Sequence, residues 1–402
     1  MSNWLTIIGM GEDGYEGLSA QAKLILEKAE VIVGSDRLLG FLPKLRAEHL
    51  KWPQPFSAVV KQMKPLRGRK TVILATGDPT NYGVARKLLE FIPFGEMEII
   101  PHLSAFSLVA ARMGWSLPDC DTLTLHGRDA ANIEAFIQPR AKLIVLTADA
   151  STIPEVARRL VARGFEKSII TVLENMGGDR EKKTSFVADA LPTPTFSDLN
   201  TLAVECAVGA KPLIWSRLAG LPDDAFIHDG QITKREVRAA TLAALAPSPD
   251  QLLWDIGAGC GSVCIEWMRS TRGCEAIAFE ANAERLKMIA QNADRLGTPR
   301  LKIVAGNVPA TLTGQPAPDA VFIGGGVGIP GVFETAWQHL KSGGRLVANV
   351  VTIEGEMHLH DLQEKHGGNL VRIDVSYLIP LGPHRAMKPR MSVTQWSAQK
   401  PW

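Results

Sequence analysis

Three glycines and two acidic residues form the clearest chemical signal in this sequence. An apolar run leads into Asp255, and Gly257, Gly259 and Gly261 follow at alternate positions. Glycine lets the backbone turn sharply and approach a ligand where a side chain would block it. Nineteen residues after Gly261 a second apolar run ends in Glu280, and an acid in that place can accept hydrogen bonds from a ribose diol. The pattern therefore predicts a nucleoside-containing ligand.

The glycine spacing differs from the dinucleotide fingerprint, in which the third glycine comes one residue later. Gly-x-Gly-x-Gly after an acid resembles motif I of class I S-adenosylmethionine-dependent methyltransferases, whose ligand has no pyrophosphate for Asp255 to repel. The resemblance implies that Asp255 and the three glycines line the methionine and ribose of that cofactor. It also implies that Glu280 binds the ribose hydroxyls and that Asn307 contacts the adenine amine. An ordinary strand-to-helix turn would explain one glycine only, so we favour the methyltransferase.

A second glycine pattern lies near the amino terminus. Residues 9–14, Gly-Met-Gly-Glu-Asp-Gly, match Gly-x-Gly-x-x-Gly, and Asp36 comes 22 residues after Gly14. In a nicotinamide dinucleotide site, however, Glu12 and Asp13 would lie where the pyrophosphate binds, and like charges there are costly. We therefore reject a dinucleotide site.

Two further motifs follow the next predicted strands, Gly77-Asp78-Pro79 after residues 71–76 and Pro101-His-Leu-Ser-Ala-Phe106 after residues 97–100. With the first glycine turn they resemble, in order, the tetrapyrrole methylase family (class III methyltransferases). That resemblance implies a second cofactor site formed by Gly9, Gly11, Gly77, Asp78, Pro79, Ser104 and Ala105. Two departures stand out: the family's Gly-x-Gly-Pro-Gly-Asp is Gly-Met-Gly-Glu-Asp-Gly here, and His102 replaces a common glycine.

The elements that position these motifs alternate between strands and helices, which indicates mainly parallel sheets covered by helices. In the first half we predict strands at 4–9, 30–34, 71–75, 96–100, 122–125, 141–146, 168–173 and 201–207, and helices near 18–29, 80–91, 104–113 and 152–163. A loop over 189–200 and a linker over 209–222, rich in proline and glycine, follow. The predicted domains are 1–210 and 216–402.

The second half opens with a predicted capping box, in which Thr233 and Glu236 satisfy each other's free amides at the start of a helix ending near Ala246. Strands are predicted at 251–256, 275–280, 301–305, 319–323, 344–351, 370–379 and 391–397. The last two must be antiparallel, because residues 379–390 leave no room for a crossover helix. The predicted fold class is α/β, with a class III tetrapyrrole methylase fold followed by a Rossmann-like class I methyltransferase that ends in an antiparallel hairpin.

Bulk composition limits the remaining choices. The 402 residues are 46% hydrophobic and 21% charged, as in soluble globular proteins. No apolar run reaches the ~20 residues of a membrane span, and the start lacks the basic segment of a signal peptide. The five cysteines form no zinc pattern. We therefore expect a cytoplasmic protein without metal or membrane partner. A net charge of +2 without a long basic run argues against nucleic acid, and we expect a homo-oligomer.

The two halves together resemble the precorrin-6Y C(5,15)-methyltransferase (decarboxylating) family of cobalamin biosynthesis over essentially the whole chain. The family's second half tends to open with a Thr-Lys-Arg-Glu-Val-Arg helix, present at 233–238, and has glycines after its fourth strand, present at 324–326. The resemblance implies a precorrin tetrapyrrole substrate, precorrin-6B, methylated at carbons 5 and 15 by S-adenosylmethionine. The acetate on carbon 12 is lost as carbon dioxide, giving precorrin-8X.

Substrate carboxylates would need arginine and lysine, because arginine can grip a carboxylate through two hydrogen bonds. Two basic clusters qualify: Lys234, Arg235 and Arg238 in the first helix of the second half, and His384, Arg385, Lys388 and Arg390 between its last two strands. We favour the second cluster, since loops at the carboxyl ends of strands surround α/β ligand sites. His126, Arg128 and His102 are further candidates near the first site. Because both clusters flank the glycine loop, we assign decarboxylation to the second half; no catalytic residue is predicted.

Two alternatives remain open. An RNA-modifying S-adenosylmethionine-dependent methyltransferase would share these motifs, although near-neutral charge and the lack of an RNA-binding module argue against it. A binding or scaffold role without catalysis is harder to reject for the first half, because of its two motif departures.

Overall fold

The computed structural model describes residues 3–53, 55, 58–193 and 195–402. They form two compact units, Met1–Ala130 with Pro139–Leu213, and Ala131–Gln138 with Ile214–Trp402. The division at Leu213 falls inside the stretch predicted as linker. A short segment, Ala131–Gln138, belongs to the second unit although the sequence assigned it to the first half.

The first sheet of unit one is entirely parallel, with strand order β3-β2-β4-β1-β5. Its strands are β1 (Leu5–Met10), β2 (Val31–Gly34), β3 (Glu48–Lys51), β4 (Thr71–Thr76) and β5 (Met97–Ile100), and its helices are α1 (Ala20–Glu27), α2 (Asp36–Gly40), α3 (Val59–Met63), α4 (Val84–Leu89) and α5 (Ala105–Met113). The central strands are continuous apolar runs because helices cover both faces. The carboxyl ends of β1, β4 and β5 therefore bring the three first-half motifs to one edge.

The second sheet of unit one corrects the prediction of mainly parallel strands. It has the order β6-β7-β10-β8-β9. Among its neighbouring pairs in the described chain, β6 and β7 are parallel and the other three pairs are antiparallel. It contains β6 (Asp121–Thr124), β7 (Lys142–Leu146), β8 (Ile169–Glu174), β9 (Lys182–Val187) and β10 (Asn200–Glu205), with α6 (Thr152–Ala162) after β7. Short connections after β8 cannot hold a crossover helix, so these strands return antiparallel. Of the loop predicted over 189–200, Pro194 lies outside the described residues.

Unit two is built on a seven-stranded sheet of order β13-β12-β11-β14-β15-β19-β16. Its strands are β11 (Leu252–Ile256), β12 (Glu275–Glu280), β13 (Lys302–Ala305), β14 (Ala320–Ile323), β15 (Arg345–Val350) and β16 (Asn369–Ile373), then the separate pair β17 (Ser376–Leu381) and β18 (His384–Pro389), and last β19 (Val393–Gln399). The helices are α7 (Arg235–Leu245), α8 (Ser262–Ser270), α9 (Ala283–Leu296), α10 (Val332–His339) and α11 (Ile353–His366). Only β19 runs antiparallel to its neighbours in the large sheet.

The end of the chain differs from the prediction in one respect. The stretch predicted as one strand over 370–379 is broken between β16 and β17, and residues 379–390, predicted as a loop, form most of a two-stranded hairpin. Pro380 and Pro389 are tolerated there because both strands of such a pair are edges. The antiparallel relation predicted for the last two strands holds for β16 and β19. The α/β fold class is confirmed.

Two apolar clusters hold the large sheet of unit two from its two faces. One contains residues of α7, α8 and α9, and the other contains residues of α10 and α11 together with Trp254 and Trp396. Both tryptophans are fully buried, and burying such side chains is the main stabilising contribution to a core. The sheet is therefore a rigid support for the residues at its edge. None of the helices in the described part of the chain is long and apolar enough to span a membrane.

Candidate functional site

The glycine loop of unit two adopts a backbone that only glycine accommodates easily. The φ angles of Gly257, Gly259 and Gly261 are 73°, 60° and 81°, in the left-handed region that disfavours residues with a Cβ atom. The amides of Gly257 and Ala258 donate hydrogen bonds to the carbonyl oxygen of Phe279, at 3.0 and 3.1 Å. These bonds anchor the loop to the end of β12, and the loop leads directly into α8.

The loop also lies close to its neighbours. A Cβ atom on Gly257 would lie 3.3 Å from the carbonyl oxygen of Gly325, and one on Gly261 would lie 3.1 Å from Cγ2 of Ile289. Gly325 belongs to the glycine run after β14. Because β14 pairs in parallel with β11, this run lies at the same edge of the sheet as the glycine loop. The glycines thus form a bare backbone cradle at the carboxyl end of the sheet.

Glu280, at the end of β12, is fixed beside this cradle. Its side chain is buried, with 7% of the residue exposed. Oε2 accepts a hydrogen bond from the Gly259 amide at 2.9 Å, and Oε1 accepts from the amides of Ala281 and Asn282 at 3.0 and 2.9 Å. A carboxylate has about four acceptor positions, so one remains for a ligand hydroxyl. The backbone therefore orients Glu280 as a ribose-binding acid requires.

Asp255 is the most unusual acid in the site. The residue is 1% exposed, and its Oδ2 accepts a hydrogen bond from the Cys264 thiol at 3.2 Å. Its Oδ1 is buried and, within the described residues, has no hydrogen-bond partner. Burial raises the pKa of Asp255 to about 7; hydrogen bonding from the thiol and from the backbone amide of Cys264 opposes this effect, and the charge of Glu280 adds to it. A buried carboxylate oxygen without a partner, two residues before the first glycine of the loop, suits a ligand with an ammonium group, so the chemistry of these residues fits S-adenosylmethionine.

Asn307 lies at the same edge. The register pairs Glu280 of β12 with Ala305 of β13, and Asn307 follows two residues later as an exposed side chain. Its carbonyl oxygen accepts a hydrogen bond from the Thr311 amide at 3.3 Å, which leaves its side-chain amide for a ligand. The structure thus brings the predicted cofactor residues of unit two to the ends of three adjacent strands.

In unit one the three predicted motifs, which follow β1, β4 and β5, lie in close contact with one another. A Cβ atom on Gly9 would overlap the carbonyl oxygen of Gly77 and lie 2.6 Å from the His102 amide nitrogen, and one on Gly11 would lie 3.1 Å from His102 Cε1. Gly77 has a φ of 61°, and its amide donates to the Met10 carbonyl at 2.9 Å. The loops after β1, β4 and β5 are therefore packed so tightly that glycine is required at Gly9 and Gly77.

The polar residues of these motifs shape the backbone locally. Asp78 Oδ1 accepts hydrogen bonds from the amide and hydroxyl of Thr80, at 2.8 and 2.7 Å. The carbonyl oxygen of Pro79 accepts a hydrogen bond from the Ala85 amide. Ser104 caps α5, its Oγ accepting from the Ser107 amide at 3.1 Å. The first residue of that helix is Ala105. In unit one, Asp78 and Ser104 therefore stabilise the conformation of these loops.

The acidic residues that argued against a dinucleotide have partners inside unit one. Glu12 forms an ion pair with Arg37, which also donates to the Thr76 hydroxyl at 2.8 Å; burial lowers the pKa of Arg37. Asp13 Oδ2 lies 3.5 Å from His102 Nε2. Sequence reasoning missed Arg37, whose only signal was its place after β2, at the same edge as the two acids.

The first basic cluster requires a correction. Arg238 is 0% exposed and donates to Glu266 Oε1 at 2.6 Å, to Asp223 Oδ1 at 3.2 Å, and to the carbonyl oxygens of Leu221 and Thr233. A guanidinium with these partners cannot also hold a substrate carboxylate, so the predicted substrate-binding role of Arg238 is wrong. Arg235, in contrast, is exposed.

The predicted capping box at this helix is also wrong. Helix α7 begins at Arg235, with Lys234 as its N-cap residue and no capping by a side chain. Glu236 instead accepts a hydrogen bond from the hydroxyl of Tyr377. This contact joins α7 to β17, and it lowers the pKa of Glu236. A tertiary partner has replaced the local one.

The second basic cluster lies on the hairpin and is divided between its faces. His384 pairs with Leu381 and Lys388 with Tyr377, whereas Arg385 pairs with Pro380; since side chains alternate along a strand, Arg385 points to the opposite face. All of these basic side chains are exposed. Arg390 follows β18, with its guanidinium 5.2 Å from the centre of the Tyr377 ring.

The remaining candidates lie in unit one. His126 is exposed after β6, and Arg128 lies 5.4 Å from the centre of the Tyr82 ring. Hydrogen bonds from Ser151 lower the pKa of Asp149, with a smaller contribution from the charge of His126. No group of three or more His, Cys, Asp or Glu side chains in the described chain is arranged to hold a metal ion.

Comparison with known proteins matches each half of the chain to a methyltransferase family. The tetrapyrrole (corrin/porphyrin) methylase family matches residues 4–191, and a precorrin methyltransferase domain family matches residues 224–400. A cobalt-precorrin-6B C(15)-methyltransferase (decarboxylating) of Salmonella typhimurium is 32% identical over 187 residues, 45% of this chain and 96% of its own. The solved C-terminal domain of precorrin-6Y C5,15-methyltransferase from Rhodobacter capsulatus is 47% identical and covers 46% of this chain and 100% of its own, with a TM-score of 0.44.

One relative spans both halves. The precorrin-6Y C(5,15)-methyltransferase [decarboxylating] of Sinorhizobium sp is 43% identical over 401 residues, 100% of this chain and 97% of its own. Identity of this extent over the full length places both units in one family. The chain therefore belongs to the precorrin-6Y C(5,15)-methyltransferase (decarboxylating) family.

Proposed function

We propose that this protein methylates precorrin-6B (precorrin-6Y) at carbons 5 and 15 and removes the acetate carboxyl on carbon 12, giving precorrin-8X in cobalamin biosynthesis. The observation that carries the proposal is the 43% identity, over the whole chain, to the Sinorhizobium relative of that name. We place the reaction in the cytoplasm, in keeping with five cysteines of which none forms a disulfide in the described chain. A homo-oligomer without a nucleic-acid partner remains a prediction.

The methyl donor of unit two binds in the glycine cradle. When bound, S-adenosylmethionine supplies an electrophilic methyl group on a sulfonium. Glu280, oriented by three backbone amides, accepts a hydrogen bond from a ribose hydroxyl, and the unpartnered Oδ1 of Asp255 accepts one from the ammonium. Displacement at a methyl group needs alignment more than proton transfer, so positioning by these residues contributes most of the rate.

A second donor molecule binds in unit one, at the edge formed by Gly9, Gly11 and Gly77. Support comes from the match of this half to the tetrapyrrole methylases and from the close packing of the three loops. Asp78 and Ser104 hold the loop after β4 and the start of α5 in place. Pro79 and Ala105 complete these turns.

The substrate's carboxylates are held by the exposed basic residues of unit two, above all Arg385 and Arg390, with His384, Lys234 and Arg235 as further contacts. Leu378 and Met387, which share a face with Arg385, are 57% and 60% exposed. An apolar face beside a guanidinium suits a macrocycle with apolar faces and a carboxylate rim.

Decarboxylation belongs to unit two. The Salmonella relative is named as a decarboxylating C(15)-methyltransferase, and it matches only 45% of this chain. This favours a single unit that carries both the methylation of carbon 15 and the decarboxylation. In the reaction the bond between the acetate carboxyl and its methylene carbon breaks, carbon dioxide leaves, and the conjugated macrocycle takes up the electron pair. A proton from solvent then adds to the former methylene carbon, which becomes a methyl group. The protein's part is to anchor the other carboxylates and to leave this one poorly solvated.

Substitution of Glu280 tests the proposal. Glu280→Ala removes the ribose acceptor, and we expect a loss of about 2–3 kcal/mol, roughly 30–150-fold, in affinity for S-adenosylhomocysteine at one of two sites. Calorimetry on the full-length protein measures this. With precorrin-6B and S-adenosylmethionine well below the weakened Kd, product mass should show one methyl gained and carbon dioxide retained.

The matched control is Glu275→Ala, an exposed residue at the other end of β12, which should leave binding and product unchanged. A Glu280→Ala protein with wild-type affinity would refute the cofactor site. Carbon dioxide loss that persists when the unit-two methylation is gone would move decarboxylation to unit one.

A further inference from the structure

The two acids of the unit-two cradle are held by different kinds of donor. Three backbone amides surround Glu280. Asp255 accepts a hydrogen bond from the Cys264 thiol on Oδ2 and is further stabilised by the backbone amide of Cys264, while its Oδ1 has no hydrogen-bond partner among the described residues. A thiol is a weak hydrogen-bond donor, so the protein compensates a charge on Asp255 poorly although the residue is almost fully buried.

The neighbours of Asp255 supply no positive charge. Helix α8 contributes Cys264, the end of β12 contributes Glu280, and β14 (Ala320–Ile323) has only apolar side chains. In the described chain no lysine, arginine or histidine forms an ion pair with Asp255. Burial raises the pKa of the Cys264 thiol well above its usual range, so the thiol remains a donor. A buried carboxylate with such neighbours favours its neutral, protonated form.

We infer that binding of the cofactor's ammonium group in unit two expels a proton from Asp255 to solvent, and that Cys264 is a positioning residue that determines how readily this proton leaves. The inference rests on the proposed function of unit two. It adds a linkage between cofactor affinity and pH, because a cation beside a poorly solvated carboxyl group favours the ionised form.

The size of the linkage follows from the pKa of Asp255, raised to about 7 in the free protein. About nine-tenths of the molecules then carry the proton at pH 6 and about one-tenth at pH 8. If the bound form is ionised at both pH values, affinity should weaken about tenfold from pH 8 to pH 6. Release of nearly one proton per bound cofactor should accompany binding at pH 6.

Calorimetric titration of the full-length protein with S-adenosylhomocysteine, which keeps the ammonium group, tests this. Repeating it in buffers of different ionisation enthalpy counts the released protons at each pH. The difference between wild type and Asp255→Asn isolates unit two: we expect about 0.9 proton at pH 6 and about 0.1 at pH 8. Equal proton release by the two proteins at pH 6 would overturn the inference.

Two substitutions of Cys264 test its role through the midpoint pH of proton release, which would not change if the residue were only structural. Cys264→Ser places a stronger donor on Asp255 and should shift the midpoint of proton release to lower pH. Cys264→Ala removes the donor and should shift it to higher pH. The matched control is Cys274→Ala, a buried thiol that donates to the Ser248 carbonyl, and it should leave the midpoint unchanged.

These variants decide the matter even if Asp255→Asn fails to fold. A midpoint that stays the same in both Cys264 variants would overturn the inference. Failure of the proposed function would look different: no part of the binding heat would respond to Glu280→Ala, and unit two would not be a cofactor site at all. Binding that is sensitive to Glu280 but releases no proton refutes the linkage alone.

Discussion

Replacing Arg238 by methionine should destabilise unit two without affecting substrate recognition directly. The side chains of Arg238 and Glu266 are 0% and 2% exposed, and they form an ion pair at 2.6 Å. Methionine keeps the unbranched apolar stem of arginine but is shorter and has no hydrogen-bond donor. The substitution therefore leaves Glu266 as a buried acid without its cation.

The expected magnitude follows from the contacts that survive. Breaking a buried ion pair by removing one partner costs about 3–5 kcal/mol. Glu266 retains hydrogen bonds from the amides of Gly220 and Leu221, at 2.6 and 2.9 Å, so we expect a value at the lower end, about 3 kcal/mol. That is roughly a hundredfold change in the equilibrium between folded and unfolded unit two.

Hydrogen exchange in α7 and α8, together with urea unfolding of the full-length protein, measures this loss. A double-mutant cycle with Glu266→Gln should recover part of it, because the double variant leaves no buried charge. The control is Arg235→Met, an exposed arginine on the same helix, which should change stability by no more than about 0.5 kcal/mol. Unchanged stability of the Arg238→Met protein combined with weaker macrocycle binding would refute this reasoning and restore a substrate role.

Three further results are expected. Gly9→Ala should abolish cofactor binding to unit one, because a Cβ atom would overlap the loop after β4, whereas Gly40→Ala, with no atom within 4 Å of its Cβ position, should not; both are checked by calorimetry. Arg385→Gln combined with Arg390→Gln should weaken macrocycle binding in fluorescence titrations and leave S-adenosylhomocysteine affinity intact; an equal loss of both would show a structural role. Folding raises the pKa of Asp255 from 3.8 to about 7, so between these pH values the folded protein binds more protons than the unfolded chain. The unfolding free energy of the cofactor-free protein should therefore fall as the pH rises, by at most about 4 kcal/mol. Asp255→Asn should flatten that profile in urea titrations.

The strands that the sequence predicted best are those buried on both faces. The strands predicted over 71–75 and 251–256 are mostly apolar and appear as β4 and β11. By contrast, β3 (Glu48–Lys51) and β9 (Lys182–Val187) were missed; both are edge strands with mostly exposed or half-buried residues. An edge strand facing water keeps polar side chains and carries no apolar pattern to detect.

The site residues follow the same division. Gly257, Gly259 and Gly261 were identifiable because their φ angles demand glycine, and a residue type required by backbone geometry is visible in the sequence. The environment of Arg238 was not identifiable, because its acidic partner Glu266 lies 28 residues away. The sequence shows that a charge is present, but only the fold shows whether another charge already neutralises it.

The contacts of the two motif departures in unit one weaken the support that those departures give to a scaffold role. They are in contact: Asp13, in the altered first motif, lies 3.5 Å from His102, the altered residue of the third. A Cβ atom on Gly11 would lie 2.6 Å from Asp13 Oδ1 and 3.1 Å from His102 Cε1, so both altered residues pack against this glycine. Glu12, the other unusual acid, is neutralised by Arg37. An unused site would tolerate a larger residue at Gly9 and leave Glu12 unpaired. Here a Cβ atom on Gly9 would overlap the backbone of Gly77 and Glu12 is paired with Arg37, which favours a unit whose loops still bind a ligand.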